Sequence, residues 1–173
     1  MGGMIHPIPG AGDPTLAPTS VLAAAQRGGV PRIAMLLGLS GLIPQAFAVM
    51  ALVGDDPATR FPALALAYAY AALILSFLGG LWWGIAAKSD DPPRWIWVAA
   101  VVPSLVALAS AWPWMVGLTW PGPSLVALGV ALIAALGVDL ALIRGGLAPP
   151  GWLGLRAPLS LGLGALTLVA GLL

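Results

Sequence analysis

Asp139 is the residue in this chain best placed to do chemistry. It is the one acid inside a long apolar segment, Ser124 to Ile143. A carboxylate in hydrocarbon is costly, so it must face other helices and find a partner, and such a group marks a candidate site by default. Three cations are available to it: Arg144 just past the same segment, Arg156 beyond the next turn, and Lys88. The pairing could lock one helix to the following loop as a structural ion pair, which is the favoured expectation. It could instead hold a proton or a ligand. Arg144 and Arg156 also bracket a Pro/Gly stretch, where two guanidinium groups could meet anionic headgroups or simply set orientation.

Other reactive side chains are scarce. There is no Cys and no Glu, and the one His is His6 in a Gly/Pro-rich stretch. Thiolate metal sites and Cys nucleophiles are excluded by composition. Ser76 has no base to activate it and is expected to bond back to its own helix. The expectation is therefore no catalytic, cofactor-binding or metal-binding residue, and no enzyme activity. Trp82 and Trp83 could stack on a flat ligand. With Trp95 and Trp152, they are expected to be anchors at the membrane–water interface, where amphipathic rings sit best. Gly80 and Gly84 form a GxxxG pair, and Gly79 widens the groove. With Ser76 they are expected to make a close-packing helix face.

These residues need elements to carry them, and composition says which kind. The chain has 173 residues, 60% hydrophobic and 8% charged, with a mean hydropathy of +1.01. Soluble domains carry about 25% charged residues, so lipid is the solvent such an exterior suits. A net charge of +1 gives no basic stripe for nucleic acid. The expected fold is all-α, a polytopic membrane bundle of five transmembrane helices. Residues 1–31 form a flexible tail, in which Ser20 to Gln26 could make a short turn. Residues 32–173 form the membrane domain, with spans at about 33–53, 61–87, 95–111, 124–143 and 157–173. Pro44 and Pro103 should kink the first and third spans. Asp91 is placed to cap the third. Ala46-Phe47-Ala48 resembles a signal-cleavage site, but the apolar run continues past it and cleavage is not expected.

The basic residues sort by side. Arg27, Arg32, Lys88, Arg94, Arg144 and Arg156 fall on one face of this arrangement and Arg60 on the other. The positive-inside rule then puts the N-terminus in the cytoplasm and the C-terminus outside.

Ile74-Leu75-Ser76-Phe77-Leu78-Gly79-Gly80, followed by Trp83-Gly84, resembles the signature of a family of small multi-helix membrane proteins of unknown function, the one that includes transmembrane protein 69. Leu37-Gly38-Leu39-Ser40-Gly41-Leu42-Ile43-Pro44 is similar to its first-helix motif. Asp139, Arg144, Pro149, Trp152, Leu155 and Arg156 are similar to its fourth-helix-to-loop pattern. The likeness covers residues 35 to 165. That family often has His or another residue where Trp82 stands, so the resemblance implies no polar role at this position here. It implies a bacterial inner-membrane or mitochondrial protein and brings no reaction with it. A fainter likeness of Pro149-Pro150-Gly151-Trp152 to a loop of the tryptophan-rich sensory protein family does not extend to the surrounding spacing.

Two roles follow as expectations. The first is a non-enzymatic packing or assembly partner of other membrane proteins in the bacterial cytoplasmic (inner) membrane, with an exposed small-residue groove and no internal cavity. The alternative is a binder or carrier of a small hydrophobic molecule or lipid, with a pocket near Asp139, Trp82 and Trp83.

Overall fold

Proline and glycine set the helix ends in a chain with so few charges, because each changes which backbone groups can pair. The computed structural model describes residues 30–54, 56–118 and 121–173. His6, the Ser20 to Gln26 turn, Arg27 and Trp120 lie outside the described residues.

The first span is two helices rather than one kinked one, α1 (Arg32–Ser40) and α2 (Ile43–Val53). Pro44 falls in the first turn of α2, where its missing N–H costs nothing. The break before it is a tight turn: Gly41 N donates to Gly38 O and Leu42 N to Leu39 O. The Tyr70 hydroxyl donates to the carbonyl of Gly41, so part of the freed backbone is satisfied from a neighbouring span.

The second span, α3 (Pro57–Lys88), is 32 residues long and starts earlier than the apolar run suggests. Asp56 Oδ1 accepts from Ala58 N at 3.0 Å and caps it, with Pro57 in its first turn. The third span, α4 (Arg94–Ala109), has Pro93 rather than Asp91 at its N-cap and no side-chain cap. It is followed by a short α5 (Trp112–Met115). The fourth, α6 (Gly122–Arg144), agrees with expectation to within two residues at each end.

The fifth span differs most. Helix α7 (Trp152–Leu172) begins after Gly151, which takes the left-handed φ of 77° that favours glycine. Trp152 to Arg156, expected in a loop, are helical. Pro158 lies inside the helix, where it removes one intrahelical bond rather than marking the start.

All five candidate spans are long and apolar enough to cross a membrane. Helix α3 touches α2, α4, α6 and α7, so it is the bundle's centre, and α1 leans on α7. Its buried face runs Ala63, Ala67, Ala71, Leu75, Leu78, Trp82, Ala86, the helical spacing of one stripe. The outside is apolar too: Leu36, Met50, Leu73, Phe77, Val98 and Leu108 are all exposed. A soluble monomer rarely shows so continuous an apolar surface; for a multi-pass membrane protein it is the lipid-facing side.

Glycine brings two helix pairs into backbone contact. A Cβ on Gly79 would lie 2.1 Å from the Ala100 carbonyl oxygen of α4. Between α6 and α7, a Cβ on Gly129 or Gly164 would lie 3.0 Å from the other's carbonyl oxygen. Close approach of this kind is how membrane helices gain contact without a hydrophobic driving force. Gly80 and Gly84, by contrast, meet nothing within 4 Å. They lie on the outer surface and pack against none of the described residues. Ser76 also departs from expectation: its Oγ pairs with Ser104 Oγ of α4 at 2.8 Å instead of its own backbone.

Candidate functional site

Three spans meet at Asp139. The residue follows Leu125, Leu128, Leu132 and Ala135 on the buried stripe of α6, so helical phase alone turns its carboxylate inward. It is 0% exposed. Arg156 occupies the equivalent stripe of α7 with Ser160, Leu163 and Thr167, and it is 5% exposed. Its Nε donates to Asp139 Oδ2 at 3.0 Å. Oδ1 accepts two indole N–H groups, Trp82 Nε1 from α3 and Trp152 Nε1 from α7, each at 3.0 Å. Arg156 Nη2 donates to Ser160 Oγ at 3.0 Å, one turn further along α7.

The arrangement solves the problem that a buried charge poses. Unpaired, an ionised carboxylate in low dielectric costs many kcal/mol. Here the charge is neutralised by one guanidinium, and both oxygens accept hydrogen bonds. Removing one partner of such a pair costs about 3–5 kcal/mol, because the other stays buried and uncompensated.

The sequence-selected residues divide accordingly. Asp139 and Arg156 come together; Arg144 is exposed at the end of α6 and does not pair with Asp139. The link thus runs from helix to helix, not from helix to loop. Trp82 is 2% exposed, so it is a core residue and not an interface anchor. It also has the polar role that the resemblance implied was missing. Trp152 is half-buried and shares that role. Trp83 and Trp95 lie on the outer surface, 50% and 41% exposed, and Trp83 stacks edge-on against Trp97 with ring centroids 4.8 Å apart.

Two further polar groups, of two hydrogen bonds each, have no counterpart in the sequence reading. Gln45 Nε2 of α2 donates to Thr167 Oγ1 of α7 at 3.0 Å, and Thr167 in turn donates to Leu163 O. Ser124 Oγ donates to the Ser110 carbonyl at 2.7 Å, and Ser110 Oγ meets the Tyr68 hydroxyl at 3.0 Å.

Beside the cluster lies a crevice of about 220 Å³. One wall is the break between α1 and α2, at Gly38, Gly41 and Leu42. The opposite wall is Arg156, Ser160 and Leu163 of α7, and Tyr70, Ile74 and Leu78 of α3 form the back. Leu37 and Phe77, 66% and 60% exposed, stand at its rim, so it opens to the lipid-facing side. A second cavity of about 300 Å³ lies between α3, α4 and α6, against Trp82 and Pro103, and its lining is almost wholly apolar. Among the described residues no cluster of His, Cys, Asp or Glu could hold a metal ion. The arrangement can hold an apolar molecule and offer it a cation-derived hydrogen bond.

No solved structure matches the chain. Transmembrane protein 69 of Xenopus tropicalis is 41% identical over 81 residues, an alignment covering 44% of this chain and 31% of that protein. The match therefore spans under a third of that relative's length. The family model described as "Protein of unknown function (DUF3429)" matches residues 30–172, which take in every helix of the bundle and the whole Asp139 cluster. On that match, the chain belongs to the DUF3429 family.

Proposed function

We propose that this multi-pass membrane protein is a non-enzymatic binder of a small lipid-soluble molecule or lipid chain, held in the crevice between the broken first span and α7. The observation that carries the reading is the crevice itself. Its walls join a helix break in α1–α2 to Arg156 and Ser160 of the Asp139 cluster, so an apolar void and a polar group share one site. Binding sites of this type are mostly apolar with a few placed polar groups. A purely structural ion pair would need no void beside it. The membrane we assign, on the family resemblance, is the bacterial inner membrane, and the six-to-one sorting of basic residues supports an N-terminus in the cytoplasm.

The test is native mass spectrometry of the full chain released from mild detergent. The parent should retain a discrete small-molecule or lipid adduct. Ile74→Trp, which fills the back of the crevice, should lose it while melting within a few degrees of the parent. Equal adducts on both proteins would contradict the reading.

A second role, packing against another membrane helix, is favoured by the open face of α3, where Gly80 and Gly84 meet nothing within 4 Å next to exposed Leu73 and Phe77. The chain has no Cys, so Gly80→Cys would carry the sole thiol. Oxidative crosslinking in membranes to a second copy or another protein would support that role, and a monomer at all oxidant levels would remove it as a self-contact.

A further inference from the structure

The polar wall of the crevice is not neutral in what it asks of a ligand. Arg156 spends Nε on Asp139 and one Nη2 hydrogen on Ser160. Its Nη1 has no partner among the described residues. The residue is 95% buried by its 5% exposure, and it lines the crevice. A guanidinium can only donate, so this wall presents unused donors and no competing acid. The other two hydroxyls on the wall each make one hydrogen bond already, and neither meets Nη1. The Tyr70 hydroxyl gives its hydrogen to Gly41 O, and Ser160 Oγ already accepts from Nη2.

We infer that the crevice takes a neutral, lipid-soluble molecule that presents a carbonyl oxygen to Arg156 Nη1: a ketone, quinone or ester class of ligand. This rests on the crevice reading given above. An acceptor is required because Arg156 Nη1 can only donate. Neutrality follows from charge. Asp139 and Arg156 already cancel, and among the described residues no second cation lines the crevice. An anionic head would leave one uncompensated charge in a low-dielectric site. A carbonyl satisfies the donors and adds no charge. At about 220 Å³ the crevice is smaller than the roughly 300–1,000 Å³ of drug-sized sites. It therefore holds the head and first carbons of a longer molecule, whose tail leaves past Leu37 and Phe77 into lipid.

The experiment uses the full chain in lipid nanodiscs and three probes of matched length: 2-dodecanone carrying ¹³C at its carbonyl, dodecane, and dodecanoate. Binding is measured by competition against empty nanodiscs, and the ketone carbonyl is followed by ¹³C NMR. The ketone should bind at least tenfold tighter than the alkane and no weaker than the carboxylate. Its carbonyl resonance should move downfield, as it does when a strong donor reaches the oxygen. Ile74→Trp should abolish binding of all three. Arg156→Lys, which keeps the charge, should bring the ketone to within threefold of the alkane. Should that variant not fold, the comparison of probes on the parent protein stands by itself.

Equal binding of ketone and alkane, both lost in Ile74→Trp, would overturn the carbonyl inference and leave the crevice reading in place. Tenfold tighter binding of dodecanoate would overturn neutrality. Binding unaffected by Ile74→Trp, or no binding of any probe above empty nanodiscs, would overturn both.

Discussion

At the scale of single residues, Asp139 decides most of what the bundle can do. Its two oxygens gather donors from α3 and α7, so three of the five spans depend on one side chain. Asp139→Asn leaves Arg156 charged and buried, and should cost about 3–5 kcal/mol, read as a large fall in the detergent melting temperature. Arg144→Gln removes an exposed charge and should stay within about 0.5 kcal/mol of the parent. Equal losses from the two would place the ion pair at the loop after all. Trp82→Phe should cost about 1.5–3 kcal/mol, the worth of a hydrogen bond to a charged group. Trp83→Phe, on the outer surface, should cost little. The same melts check both. Asp139 was legible in the sequence because an acid in an apolar run must have a reason. Its partner was not, because Arg144 and Arg156 are both close to the segment end. Phase was the overlooked signal. Arg156, Ser160, Leu163, Thr167 and Ala170 recur at helical spacing on one buried stripe, and Trp82 is in register with Leu75, Leu78 and Ala86. Position near a span end predicts an interface role for Trp82, and the buried stripe outweighs it.

At the scale of elements, glycine separates packing faces from open ones. Gly79 lets α3 and α4 touch backbone to backbone, so Gly79→Ala must push the helices apart and should cost about 1–3 kcal/mol by overpacking. Gly80→Ala and Gly84→Ala meet open space and should leave the melting temperature unchanged or slightly raised. Denaturation of the three variants side by side checks this; a loss at Gly80 matching that at Gly79 would mean that the GxxxG face is closed by a partner. Apolar length alone predicts five spans, and five long apolar helices are present among the described residues. Gly154, Arg156 and Pro158 interrupt the last apolar run, which predicts a start at Ala157 where the helix begins at Trp152. The helix tolerates Arg156 because Asp139 and Ser160 take its hydrogen bonds, and Gly154 lies on the open side of the helix with nothing within 4 Å. The break between α1 and α2 was foreseen only as a bend at Pro44. Gly41 and the Tyr70 hydroxyl, which lies on another span, turn it into two helices, and no local pattern carries that long-range contact.

At the scale of the whole molecule, the fold sets a polar cluster against a crevice that opens to lipid. The sorting of basic residues predicts an orientation. Cysteine at Asp90, on the α3–α4 connection, should be labelled by an impermeant maleimide only after the cytoplasmic face is opened. Cysteine at Leu118, past the other end of α4, should be labelled in intact cells; the reverse pattern would invert the topology. The most direct measurement on the crevice uses neighbouring positions of α3. A photoreactive residue is placed at Ile74, which lines the crevice, or at Leu73, which is 68% exposed on the outside. After irradiation in native membranes, the covalent adducts are read by mass spectrometry. Position 74 should capture one discrete neutral molecule and position 73 a mixture of bulk membrane lipids. The same lipid mixture at both positions would mean that the crevice holds nothing of its own.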